Sequence, residues 1–114
     1  MEAAERRSSL TQLRRGALEY CVLALVSGRE RYAVDLVGDL GRIEALVTSE
    51  GTLYPLLSRL RREGMVATTW QESDLGPPRR YYRITDSGRV ALAGFAQEWA
   101  SFRNAVDAVL TEGT

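Results

Sequence analysis

GTLYPLLSRLRREGMV, residues 51–66, decides how this chain folds. Its leucines at 53, 56, 57 and 60 fall at the i, i+3, i+4 and i+7 positions of one helix face. Ser49 stands where a helix cap belongs and Gly64 where a helix stops, so the spacing predicts a helix from about Ser49 to Glu63. The opposite face carries Gly51, Pro55, Ser58 and Arg62, with Tyr54 and Arg59 on its flanks. Small residues near the start let the backbone approach another surface closely, and arginines near the end can reach phosphates. Pro55 presses on the carbonyl of Gly51, four residues back. Either the helix tolerates an irregularity in its first two turns, or it begins nearer Gly51.

Two more helices precede this one. Leu13, Ala17, Cys21 and Leu25 recur every four residues between Thr11 and Ser27, with Leu10, Leu18 and Val22 widening the stripe and Gly28 closing it. The second runs from about Tyr32 to Leu40, with Ala33, Leu36, Val37 and Leu40 on one face and Gly41 as its stop. After Gly64 the period changes. Met65–Glu72 is rich in Val, Thr and Trp and reads as a strand, with Trp70 expected in the core. Ser73–Pro78 (SDLGPP) is turn chemistry, and Arg80–Ile84 (RYYRI) is a returning strand on which Tyr81 and Tyr82 alternate faces. Thr85 caps a last helix that reaches about Leu110.

The expected architecture is mainly α with a small β-hairpin. A mobile N-terminal arm occupies residues 1–10, a winged helix-turn-helix residues 11–84, and a C-terminal dimerisation helix residues 85–111. With 114 residues the chain makes one domain with a real core. Met1–Ser9 is charged and lacks an apolar stretch, so it is not read as a signal peptide. No apolar run approaches the roughly 20 residues of a membrane span. The single cysteine, Cys21, fits a reducing cytoplasm, and its place on an apolar stripe makes it a small buried hydrophobe.

The chain has no histidine, which removes Ser-His-Asp and Cys-His catalysis and nearly every zinc site. An enzyme built from carboxylates, tyrosines and arginines alone is not expected, and neither is a cofactor or metal. Net charge is zero, with 15 basic and 15 acidic side chains, and every basic one is arginine. The distribution is uneven. Arg59 to Arg89 holds seven arginines against four acids, whereas Val90 to Thr114 sets Arg103 against Glu98, Asp107 and Glu112. A local basic zone inside a neutral chain is a place for a phosphate backbone to dock.

Gly76-Pro77-Pro78 reads as a stiff loop, followed at once by Arg79 and Arg80 and then Arg83. A rigid finger with arginines at its base suits a sugar–phosphate backbone or a narrow minor groove. GTLYPLLSRLRREGMV at 51–66, followed by GPPRRYYRITDSGR at 76–89, resembles the PadR family of bacterial winged-helix transcription regulators, and the resemblance extends over about Leu13–Gly94. The Gly51, Thr52, Tyr54 and Pro55 positions of the family's pattern are intact. One position departs: the family opens its second helix with His-Gly-Tyr, and this chain has Glu30-Arg31-Tyr32. The resemblance implies a homodimer that binds double-stranded DNA at a palindromic operator, commonly as a repressor answering to a small molecule. On this reading Tyr32, Ser49, Thr52, Tyr54 and Ser58 face DNA, Arg59 and Arg62 anchor phosphates, and Arg79 and Arg80 are wing contacts. The alternative is a winged helix used only for contact with other proteins, which zero net charge favours.

Leu92, Phe95, Trp99, Phe102, Val106 and Val109 are spaced 3, 4, 3, 4 and 3 residues apart, a heptad seam that prefers a partner helix. It reads as a subunit interface, extended by Leu13 and Leu10; the plainer reading packs it on the chain's own first helix. Trp99 and Phe102 sit mid-seam, either as packing or as the walls of a site for a planar aromatic, drug-like effector.

Overall fold

The computed structural model describes residues 2–113, with side chains from Thr11 onward; the expected arm over 1–10, and Leu10 with it, lies outside the described side chains. The elements run α1 (Glu2–Gly28), β1 (Arg31–Tyr32), α2 (Ala33–Gly41), a 3₁₀ turn (Glu44–Leu46), α3 (Glu50–Arg62), β2 (Val66–Ser73), β3 (Gly76–Ile84) and α4 (Asp86–Gly113). The strands form one antiparallel sheet in the order β1-β3-β2. Helices α1 to α3 close over one face of that sheet, and β2 with β3 extends from it as the wing. The mainly helical winged architecture read from the sequence is the observed one.

The core draws on α1, α2, α3, β2 and β3. Leu18, Val22, Leu23 and Val26 of α1 meet Leu36 and Leu40 of α2, Leu53, Leu57 and Leu60 of α3, and Val66, Tyr82 and Ile84 of the sheet. Each such side chain contributes about 1.5–3 kcal/mol by leaving water. The buried stripe of α1 runs through Leu18, Val22 and Val26: Leu18 and Val22 belong to the expected stripe, whereas its Leu13–Ala17–Cys21–Leu25 row lies at the edge of the core. Leu13 is 67% exposed, and Cys21 is half-buried.

α3 begins as expected. The Ser49 hydroxyl accepts the Thr52 N–H at 3.2 Å, and the helix runs unbroken through Pro55. It ends at Gly64, whose φ of 75° is the left-handed turn that favours glycine. There the Gly64 N–H bonds the Arg61 carbonyl at 3.1 Å and the Met65 N–H the Leu60 carbonyl at 2.9 Å, a Schellman closure.

Three readings of the sheet change. β1 is an added two-residue strand, pairing Arg31 with Tyr82 and Tyr32 with Tyr81. Gly76-Pro77-Pro78 belongs to β3 and not to the turn, because an irregularity in the ladder between Gln71 and Ser73 accommodates two residues without N–H groups. Trp70 is 63% exposed, beyond the edge of the core it was expected to join. Tyr82 is buried and Tyr81 is half-buried on the other face.

The joint between head and C-terminal helix is made at Thr85. Its hydroxyl donates to the Gly64 carbonyl and accepts the Gly88 N–H at 3.1 Å, while its own N–H bonds the Met65 carbonyl at 3.0 Å. Gly88 lies so close that an added Cβ would stand 2.2 Å from the Met65 carbonyl oxygen and 2.7 Å from Ile84. Gly88→Ala is therefore expected to destabilise the chain by about 1–3 kcal/mol, since backbone must shift. Gly94→Ala, which meets nothing within 4 Å, should leave stability equal or raise it by up to about 1 kcal/mol. Denaturant midpoints of the two variants check this, and equal midpoints would refute the tight joint.

Candidate nucleic-acid interface

On α3, Leu53, Leu57 and Leu60 are buried, so the opposite face is presented outward. Gly51, Thr52, Tyr54, Pro55, Ser58 and Arg62 are all exposed there. The Tyr54 phenol is pushed above its ordinary value by burial first and then by Glu50, so near neutrality it remains a hydroxyl able to donate as well as accept. Tyr32 and Tyr82 of the sheet add smaller contributions of the same sign.

Tyr32 occupies the cap position of α2 and leans on Tyr81, with ring centroids 6.0 Å apart. The Arg79 guanidinium lies over the Tyr32 ring at 5.0 Å, and Arg80 lies over Trp70 at 4.8 Å. Alternation along β3 sends these two arginines to opposite faces of the wing. Each stack holds its arginine extended at a gain of about 0.5–1 kcal/mol and leaves the charge available. Trp70 thus has a role its sequence position did not reveal: it is a platform for Arg80.

Arg59 differs from the expectation. It reaches Glu63 at 2.9 Å along its own helix and Glu19 of α1 at 3.4 Å, so its charge is spent on tying α3 to α1. Arg62, one turn on, has no ion-pair partner among the described residues. Between α1 and α3 lies an open cleft of about 770 Å³, with Leu18, Val47 and Leu56 among its apolar lining and Arg14, Arg15, Arg59 and Arg62 around it. Arg14 and Arg15 were passed over in the sequence because they stand far from the basic zone; their adjacency was the available signal.

The C-terminal seam divides in two. Leu92 packs against the core, and Phe95 stacks on Tyr20 of α1 with centroids 4.0 Å apart and planes within 3°. Trp99 continues the stack at 6.1 Å from Phe95, with its planes 15° off. From there outward the seam is uncovered: Phe102 is 62% and Val109 67% exposed, with Trp99, Val106 and Leu110 open as well. Burial raises the Cys21 thiol above its ordinary value, which keeps it protonated and unreactive. Among the described residues, no helix is long and apolar enough to cross a membrane, and no three metal-binding side chains converge.

Residues 22–94 match the Transcriptional regulator PadR-like family. A PadR family transcriptional regulator from Eggerthella lenta has a solved structure that is 31% identical, with a TM-score of 0.84, covering 96% of this chain and 97% of that one. A PadR-like transcriptional regulator from Bacillus cereus is 38% identical, with a TM-score of 0.79, covering 87% and 96%. A transcriptional regulator of Mycobacterium tuberculosis is 34% identical over 83 residues, 73% of this chain and 76% of that protein.

Where Glu30-Arg31 replaces His-Gly, both side chains have structural work. Arg31 donates from Nε to the Leu25 carbonyl at 2.7 Å and from Nη1 to Asp39, fastening the end of α1 to α2. Glu30 accepts from the Gln71 amide of β2 at 2.8 Å. Asp39→Ala leaves a half-buried guanidinium short of its acceptor and should cost about 1.5–3 kcal/mol. Glu30→Ala, at an exposed contact, should cost less than about 1 kcal/mol. Chemical denaturation distinguishes the two.

Proposed function

We propose that this chain, which belongs to the PadR-like family of transcriptional regulators, acts as a homodimer on a palindromic duplex operator, as a repressor that a small planar aromatic molecule releases. The observation that carries the DNA-binding part is the pair of exposed elements the fold presents. α3 turns Gly51, Thr52, Tyr54, Ser58 and Arg62 outward, and the wing holds Arg79 over the ring of Tyr32 at the cap of α2. A helix laid in a major groove with a basic wing beside it has these parts in this order. Thr52, Tyr54 and Ser58 would meet base edges or phosphates, Ser49 caps the helix that presents them, and Arg62, Arg79 and Arg80 would hold the backbone.

Dimerisation draws support from the uncovered half of α4. A contiguous apolar row of Trp99, Phe102, Val106 and Val109 is costly on a lone subunit, and a second copy supplies a matching row. Leu13, also exposed, and the part-covered Leu92 and Phe95 would border that contact. The Tyr20–Phe95–Trp99 stack ends on an accessible indole, against which a flat ring can add one more layer. A second reading, docking to another protein, is favoured by zero net charge and by Glu72 and Asp74 near the wing's turn. It forecasts no retardation of any duplex.

Four measurements test the proposal. In binding to duplex from the gene's own upstream region, Arg79→Ala with Arg80→Ala should lower the slope of log K against log salt by about 1.8, near 0.9 per lost phosphate contact. Tyr54→Ala should instead alter base preference, at about 1–3 kcal/mol per discriminated pair. An unchanged slope in the double variant would take the wing out of the interface. By sedimentation the chain should be a dimer at micromolar concentration, and Phe102→Arg with Val109→Arg a folded monomer. Because Trp70 is also exposed, quenching of Trp99 by aromatic compounds is to be read in Trp70→Phe protein; no quenching by any would remove the effector.

A further inference from the structure

The cleft between α1 and α3 has no part in the wing or in the α4 seam. At 100° per residue, the α1 side chains that line it, Thr11, Arg14, Arg15 and Leu18, point roughly opposite to Tyr20, which stacks on Phe95 of the seam. On α3 it takes the flank of Thr52, Leu56 and Arg59, about 160° around the helix from Tyr54 and the sheet. The outward face of α3 therefore lies between two basic flanks, the wing on one side and the start of α1 on the other.

The charges of this flank are arranged for an anion. Four arginines surround the cleft against one carboxylate, Glu19, and Glu19 is engaged by Arg59. Arg15 and Arg62 have no hydrogen-bond or ion-pair partner among the described residues. Arg14 spends its Nε on the Ala45 carbonyl at 2.9 Å, which fixes the 3₁₀ turn to α1 and leaves its terminal nitrogens uncommitted. The Thr48 and Ser49 side chains add hydroxyls at the start of α3.

A major groove about 12 Å wide is bordered by two phosphate strands, so a helix lying in it is held best by contacts on both sides. We propose that Arg15 and Arg62, with Arg14 and the hydroxyls at the start of α3, grip the sugar–phosphate strand on the far side of the groove from the wing. This rests on the DNA-binding reading above and adds a second, separately located anchor to it. The strand would run along the open cleft, and Arg59 acts as a positioning residue that silences Glu19. Exposed arginines on an open surface suit a polymer presenting several phosphates more than a single small anion, which they would hold weakly.

The test uses the full chain and a duplex selected from a random pool by the wild-type protein. Arg15→Ala with Arg62→Ala, both exposed and unpaired, should leave the melting temperature unchanged and lower the salt slope by about 1.8. The loss should be equal on the selected duplex and an unrelated one. Phosphate ethylation interference should lose its positions on one strand of the groove in this variant, and on the other strand in Arg79→Ala with Arg80→Ala. A wild-type slope and interference pattern in the Arg15 and Arg62 variant overturns the second anchor while leaving DNA binding intact. So does stabilisation of the wild type, but not the variant, by inorganic phosphate with no change in DNA binding. Failure of the wild type to select any duplex overturns the DNA-binding reading and this inference with it.

Discussion

The close meeting of Gly64, Met65, Thr85 and Gly88 is the constraint on which the arrangement depends. At this point the end of α3, the start of β2, the end of β3 and the start of α4 share two backbone carbonyls and one hydroxyl. A glycine with positive φ turns the chain out of α3, and a glycine without side chain lets α4 sit on the Met65 carbonyl. Neither can be exchanged freely, because one needs a left-handed backbone and the other needs the space a Cβ would fill. The consequence is mechanical. α4 starts beside the residues that close the helix presenting Tyr54 and Ser58, so a change at Gly64 or Gly88 strains both ends of this joint.

Charge works on the same local scale. A neutral chain can still carry a basic face, and here pairing decides which arginines contribute to it. Arg59 and Arg31 are taken up by carboxylates, and they hold helices to one another. Arg79 and Arg80 rest on aromatic rings, which steady them without cancelling their charge. Of four arginines at 59, 61, 62 and 79, therefore, only some are available to a polyanion, and no sum over the sequence separates them.

The legible parts of the fold were those set by short-range pattern. Leucine spacing gave α3, Ser49 and Thr85 announced their caps, and the change of period after Gly64 located the hairpin. β1 escaped notice because two residues have no period, and only pairing with Tyr81 and Tyr82 makes them a strand. Gly76-Pro77-Pro78 misled because proline signals a turn locally, whereas an irregular ladder absorbs it. Trp70 misled differently. Alternation tells which face a strand residue takes but not how far along the strand the core extends, and Trp70 lies past its end on the core-side face. Arg59 was expected to anchor a phosphate, but Glu63 one turn on and Glu19, forty residues away, both take up its guanidinium, and only the first of these is visible as a spacing. The cleft of α1 and α3 was hidden for the same reason: its walls come from opposite ends of the head.

The heptad seam shows a limit of a different kind. Regular 3-4 spacing from Leu92 to Val109 is one pattern in sequence but two environments in space. The first part packs on the chain's own α1 and the rest stands clear, because α4 is longer than the surface available to cover it. The change occurs at Phe95 and Trp99, where a stack that begins at Tyr20 of α1 passes out of the head. α1 thus carries the root of that stack on one side and Arg14 and Arg15 on the other. On the proposed reading, a flat molecule added at Trp99 would extend a stack rooted in the same helix that carries Arg14 and Arg15 of the cleft, so the two candidate sites share α1 as a wall.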